Sequence, residues 1–212
     1  MKRVSFLIDG FNLYHSVKDL YDKTGVKAKW LNLYSLCQSY VYLFGKDAVM
    51  KDVFYFSAYP NHLKTSRPDT VARHKDFVAC IEDLGVKVQL GRFKEKKVYC
   101  SNCKQYIIKH EEKETDVAIG IKIIELFHTN SCDLQVIISG DTDLAPAVRT
   151  ALKLFPNKQI CFGFPYNRKM KELSNLSTLN SFSISSNNYQ NHILPDPYTL
   201  KNGRIINKPA KW

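Results

Sequence analysis

The chain has 212 residues, 44% of them hydrophobic, which suits one α/β domain with a short appendage and excludes bulk disorder. Lys and Arg number 31 against 20 Asp and Glu, a net charge of +11 that favours polyanionic partners, nucleic acid first and an anionic membrane surface second. No apolar run approaches the ~20 residues of a membrane span, and the run after Met1-Lys2-Arg3 is broken by Asp9, too short for a secretory signal.

The chain therefore reads as cytoplasmic, without a membrane role, and its six cysteines read as reduced thiols. Strands and helices alternate along it. Residues 4–8 are a short β-rich run, read as a buried strand, and 11–22 look helical. Leu33, Leu36, Cys37, Tyr40, Val41 and Phe44 recur at helix spacing, with Asn32 placed to cap. Residues 53–59 read as a second strand stopped by Pro60, 67–84 as a helix stopped by Gly85, and Val86, Val88 and Leu90 as a strand with one wet face. Residues 94–112 are charged and hold Cys100-Ser101-Asn102-Cys103, which predicts an inserted loop or small hairpin. A mostly apolar helix over 117–127, a strand over 134–138, an amphipathic helix from Leu144 to Phe155 and a strand over 160–164 follow. After Lys171 the composition shifts to Ser and Asn, with one late apolar run around Phe182 and Ile184. The expected organisation is a domain over 1–185 and a tail over 186–212 packed on it. The alternation implies an α/β fold, a Rossmann-like, mostly parallel sheet with helices on both faces.

In such sheets, sites form outside the carboxyl ends of the strands. Asp9 ends the first strand, Asp141 follows the strand at 134–138 after the turn residues Ser139 and Gly140, and Asp143 opens the next helix. Asp116 sits in the first turn of the helix leading into that strand, and a helix that returns antiparallel begins at the strand's carboxyl edge. Four acids distant in sequence should gather on one rim. Carboxylates that crowd together repel unless a cation sits between them. Hard oxygen ligands suit Mg²⁺ or Mn²⁺, and one or two such ions can activate a water and stabilise the leaving oxygen of a phosphodiester. Asn12, three residues after Asp9, can face the same rim and orient a water or a phosphate oxygen. Taken singly, Asp116, Asp141 and Asp143 are also favoured helix N-caps. Asp9 is harder to explain that way, because an acid closing a buried strand is costly without a partner.

At these residues the chain resembles the NYN domain family, relatives of PIN-domain nucleases. The matching segments are Phe6-Leu7-Ile8-Asp9-Gly10-Phe11-Asn12-Leu13-Tyr14, Glu112-Lys113-Glu114-Thr115-Asp116-Val117 and Ile138-Ser139-Gly140-Asp141-Thr142-Asp143-Leu144, in the family's order. The stretch around Phe182 and the closing Lys208-Pro209-Ala210-Lys211-Trp212 also look like the tail of bacterial members. The resemblance implies a PIN-like sheet and a metal-dependent ribonuclease acting on RNA, its centre built by Asp9, Asp116, Asp141 and Asp143 with Asn12 in support. A haloacid-dehalogenase-type phosphatase would want a second Asp where Phe11 stands. A nucleic-acid-binding or assembly module without catalysis fits the +11 charge equally well, and only the acidic rim separates the two readings.

Cys100 and Cys103 supply half the ligands of a zinc site. His110 is a candidate third ligand and Cys80 or Cys132 a distant fourth, or two chains of a homodimer pool two cysteines each. The bland alternative is a reduced thiol pair on a hairpin. Residues 92–97, with Lys104 and Lys109, are a candidate RNA path, although a charge run is usually a solvated face. Tyr99 and Tyr106 either stack on bases or pack on each other. Lys113, one turn before Asp116, is placed to pair with it, and Arg73, His74 and Lys75 have ordinary surface spacing with no role assigned.

Overall fold

The computed structural model describes residues 1–102, 104–210 and 212. The apolar run at 4–8 forms the middle of β1 (Lys2–Asp9). It is hydrophobic on both faces, as a central parallel strand must be when helices cover both sides. Val4, Phe6 and Ile8 enter one core and Leu7 the other, the period-two alternation of a strand.

Helix α1 (Gly10–Thr24) follows at once and stops at Gly25, whose φ of 74° is left-handed. Asn32 accepts from the Ser35 N–H and caps α2 (Leu33–Gln38). The predicted stripe up to Phe44 is not one helix. It splits into α2 and a 3-10 turn at Val41–Phe44, and both still bury the same apolar side chains. β2 (Ala48–Ala58) pairs parallel with β1, α3 (Pro68–Asp83) returns, and β3 (Lys87–Cys100) pairs parallel with β2.

β3 runs on past the sheet and folds back as β4 (Gln105–Lys113), antiparallel from Arg92↔Lys113 to Cys100↔Gln105. Residues 94–100 and 105–112 are thus the outer part of a long ribbon. Its charges pair across strands, Lys96 with Glu111 at 3.1 Å and His110 with Glu95 at 3.4 Å. Tyr99 and Tyr106 pack edge to face at 5.4 Å near its tip.

The second half comprises α4 (Thr115–His128), β5 (Leu134–Ile138), a 3-10 turn at Thr142–Leu144, α5 (Ala145–Leu154), β6 (Gln159–Phe164), α6 (Lys171–Leu176) and β7 (Phe182–Ser183). The seven-stranded sheet has the order β4-β3-β2-β1-β5-β6-β7, parallel throughout except at β4. β1 lies beside β5, as the shared rim of Asp9 and Asp141 requires. The chain winds outward from β1 on one side and from β5 on the other. The strand order therefore reverses between them, the place where open α/β sheets form their crevice.

Helices cover both faces. α1, α2 and α3 bury Leu13, Leu36 and Phe77 against one face, and α4, α5 and α6 bury Ile119, Val148 and Leu173 against the other. Each fully buried side chain of this size contributes roughly 1.5–3 kcal/mol. After α7 (Ser186–Asn191), residues 193–210 and Trp212 lie along the α1/α3 face, and β8 (Tyr198–Thr199) pairs with β9 (Ile205–Ile206). Leu194, Tyr198, Leu200 and Ile206 are buried there, and the Tyr198 hydroxyl donates to Asp83 at 2.9 Å. Among the described residues, no helix is long and apolar enough to cross a membrane.

Candidate active site

Asp9 is the last residue of β1 and the N-cap of α1. One carboxylate oxygen accepts from the backbone N–H groups of Phe11 (3.1 Å) and Asn12 (3.0 Å), and the other accepts from the Ser139 hydroxyl at 2.8 Å. The residue is only 3% exposed. Gly10 lets the helix start this close to the sheet, since a Cβ there would stand 2.5 Å from the Phe56 carbonyl oxygen.

β5 brings the second acid to the same rim. The Ser139 hydroxyl donates to Asp9 and accepts from the Asp141 N–H at 3.0 Å. The Asn12 side-chain oxygen accepts from the Gly140 N–H at 3.0 Å. These bonds lock the end of β1 to the turn after β5 and fix both carboxylates. Asp141 in turn accepts from the Asp143 N–H at 3.0 Å, capping the 3-10 turn. Capping and clustering are thus compatible for Asp9 and Asp141.

Asp116 arrives from the opposite direction, in the first turn of α4. The Glu112 carboxylate accepts from both the backbone N–H (3.0 Å) and the hydroxyl of Thr115, and so caps this helix from β4. Glu114 makes no side-chain cap and sits at φ 84°.

One oxygen each of Asp9, Asp116 and Asp141 lies within 4.8 Å of the others, and no other group of three or more His, Cys, Asp or Glu ligands forms among the described residues. Asp143 stands outside this group, exposed to solvent. Asn12 faces the rim, but its amide oxygen is committed to Gly140. The crowding is visible in the proton affinities. Asp116 is pushed up to about 6, first by the protein around it and then by the negative charges of Asp9, Asp141, Glu112 and Asp143. Burial, then the charge of Asp141, push Asp9 up, while the Asn12 N–H, the Ser139 hydroxyl and the Phe11 N–H oppose them. Three hard oxygen donors that, among the described residues, form no ion pair with a cationic side chain fit a divalent ion.

Ser139 and Glu112 went unassigned in the sequence. A Ser beside Gly at a strand end carries the signature of a turn, and the only pointer was its position two residues before Asp141. Lys113 pairs with Glu111 at 3.2 Å rather than with Asp116, because β4 carries both on one stretch of strand before α4 begins. His110 faces Glu95 and stacks on His62. It lies five residue pairs from Cys100 along the ribbon, roughly 17 Å at strand spacing. Cys80 and Cys132 are buried in the two cores. None of these three is brought to Cys100 as a zinc ligand, and Cys103 lies outside the described residues. Arg73 and His74, expected on a bland surface, line a cavity instead, and burial lowers His74 to about 4.

No curated protein sequence matches the chain. Among solved structures, it is similar to a protein of unknown function from Vibrio parahaemolyticus, with a TM-score of 0.53 at 14% identity, covering 91% of this chain and 96% of that one. That likeness shows a shared fold. A deacetylase–teicoplanin complex of the teicoplanin biosynthesis pathway matches more distantly, with a TM-score of 0.33 at 10% identity over 74% of this chain and 68% of that one. The model of the NYN domain matches residues 3–178, which include all four acids and all but the last short strand of the sheet's carboxyl rim. The chain therefore belongs to the NYN domain family, a nuclease-type family.

Proposed function

We propose that this chain is a Mg²⁺- or Mn²⁺-dependent ribonuclease that hydrolyses RNA phosphodiester bonds. The observation that carries the reading is the meeting of Asp9, Asp116 and Asp141 within 4.8 Å at the point where the strand order reverses. These three would hold the ion. When bound, it supplies a Lewis acid for the phosphate and lowers the pKa of water. The protein supplies alignment. Ser139 and the backbone N–H groups of Phe11 and Asn12 hold Asp9, and Ser139 also holds the Asp141 backbone. Asp143, exposed beside the group, orients the attacking water. Asn12, its oxygen bound to Gly140, keeps two N–H donors for a phosphate oxygen. In-line attack by water leaves a 5′ phosphate and a 3′ hydroxyl. Attack by the RNA's own 2′ hydroxyl needs a general base and acid, often His, and no histidine belongs to the group.

Asp141→Asn separates chemistry from binding. It is expected to lower Mn²⁺-dependent cleavage by about 100-fold or more. Affinity for single-stranded RNA in EDTA should hold or tighten, because a charge that repels phosphate is gone. Cleavage undiminished in the purified variant would remove the acids from the mechanism and leave the +11 surface of a non-catalytic binding module as the better account.

A further inference from the structure

A cavity of about 650 Å³ lies beside the acids, on the face covered by α1 and α3. It reaches the same rim, since its lining includes Gly10 and Phe11, directly after Asp9, and Glu112, which caps the helix of Asp116. Cations outnumber acids in it, with Glu112 the one carboxylate side chain among the described lining residues. Lys29, Arg67 and Arg73 line it, and none of them forms an ion pair among the described residues. Arg73 donates one bond, to the Thr70 hydroxyl at 3.1 Å, and its buried Nε has no partner. Burial lowers the proton affinity of Lys29, and the charges of Lys18 and Arg73 add to this against Asp22. An anion in the cavity would relieve that repulsion.

The lining also carries aromatic rings. Phe93 meets Phe11 edge to face at 5.8 Å and His62 at 4.7 Å, and the exposed ring of Tyr14 lies under the Lys29 ammonium at 5.4 Å. Cations and rings in one cavity are the combination that holds a nucleotide, the cations its phosphate and the rings its base. The volume falls in the ~300–1,000 Å³ range of small-ligand pockets. That is room for one splayed-out nucleotide, whereas a paired base arrives with its partner strand attached.

We propose that this cavity receives one unpaired nucleotide of the RNA strand whose scissile phosphate lies at the three acids. Its own phosphate rests on Arg73 and Lys29, and its base packs against Tyr14, Phe93 and His62. The proposal rests on the ribonuclease reading of the neighbouring site and adds a substrate class, single-stranded rather than duplex RNA. A free nucleoside monophosphate offers the same chemistry, so the test separates the two sources.

Binding is measured in EDTA by fluorescence anisotropy, so that cleavage plays no part. The probes are a short fluorescein-labelled RNA of mixed sequence, the same strand annealed to its complement, and AMP and UMP as competitors. Lys29→Gln/Arg73→Gln is compared with Lys46→Gln/Lys153→Gln, which removes the same charge from exposed positions at the amino edge of the sheet. The cavity pair is expected to weaken the single strand about 10-fold and reduce its salt slope by about 1. The control pair and the duplex should change far less. Equal losses in the two pairs, or none, overturn the proposal. So does cavity-dependent binding of AMP or UMP with an unaffected single strand, which assigns the cavity to a free nucleotide. A second measurement, photocrosslinking of 4-thiouridine RNA to the unmutated protein, does not depend on the variants folding. Adducts at Tyr14 or Phe93 are expected, and adducts found only elsewhere refute the assignment. A protein inactive with Mn²⁺ that still binds single strands through the cavity would sink the ribonuclease reading and leave this site standing.

Discussion

At the scale of single residues, Ser139 ties the site together. Among the described residues, its hydroxyl is the only side-chain donor to buried Asp9, and it also accepts the Asp141 N–H. Ser139→Ala leaves Asp9 short of a hydrogen bond, which costs about 1–3 kcal/mol. It should also weaken Mn²⁺ affinity by about 10- to 100-fold, the usual effect of losing a group that orients a ligand. Thermal unfolding and calorimetric Mn²⁺ titration check both, and unchanged Mn²⁺ affinity would detach Ser139 from the site. Asp116 carries a second expectation. Its folded pKa is raised from 3.8 to about 6, so the native protein holds this proton more tightly than the unfolded chain. That contribution to metal-free stability is full below 3.8 and is lost as pH rises through about 6. Mn²⁺ competes with the same proton, so its affinity should rise over the same window. Asp116→Asn should flatten the stability change. An unaltered pH profile in the variant would place the crowding elsewhere.

At the scale of elements, the turn after β5 is held by close backbone contact. A Cβ on Gly140 would lie 2.1 Å from the Arg168 carbonyl oxygen, so Gly140→Ala must displace backbone and should destabilise the protein by about 1–3 kcal/mol. Denaturant titration reads this, and a neutral result would show that the loop after β6 yields freely. At the amino edge, Arg3 binds Asp133 at 2.8 Å and holds β1 in register with β5. The Arg3 guanidinium, with Lys158 beside it, keeps Asp133 well below the usual carboxylate range. Its stabilisation is therefore present above the unfolded carboxylate pKa of about 4 and is lost as pH falls below it. Asp133→Asn should lower stability at pH 7 by about 1 kcal/mol, with the difference shrinking toward pH 3. β1 and β5 were legible because buried parallel strands are continuous apolar runs. The ribbon of β3 and β4 was legible only as a strand at 86–90 and an inserted loop or small hairpin over 94–112; its length was not, because many of its residues are charged and it pairs outside the cores. Asp9, Asp116 and Asp141 could be placed on one rim from strand and helix direction alone. Asp143 could not be separated from them, because two residues of 3-10 turn decide whether its carboxylate reaches inward. Lys29 lies in the loop between α1 and α2, Arg73 on α3 and Phe93 on β3, and no spacing in the chain links them.

At the scale of the molecule, the +11 charge favours a polyanionic partner, and the proposed binding of RNA draws on it. RNA affinity should therefore fall steeply with salt, with a log–log slope of about −0.7 per phosphate contacted on a single strand. A flat response would exclude polyanion binding by the basic surface. The strand order, reversing between β1 and β5, brings acids far apart in sequence to one crevice. The proposed activity is hydrolysis of RNA at these acids with a divalent ion. End-group analysis of labelled single-stranded RNA, incubated with Mn²⁺ or with EDTA, tests it most directly. The expected result is cleavage with Mn²⁺ alone, leaving 5′ phosphate and 3′ hydroxyl ends. Cleavage that survives EDTA and leaves 2′,3′-cyclic phosphate, or no cleavage of any single strand tried with Mn²⁺, would contradict it.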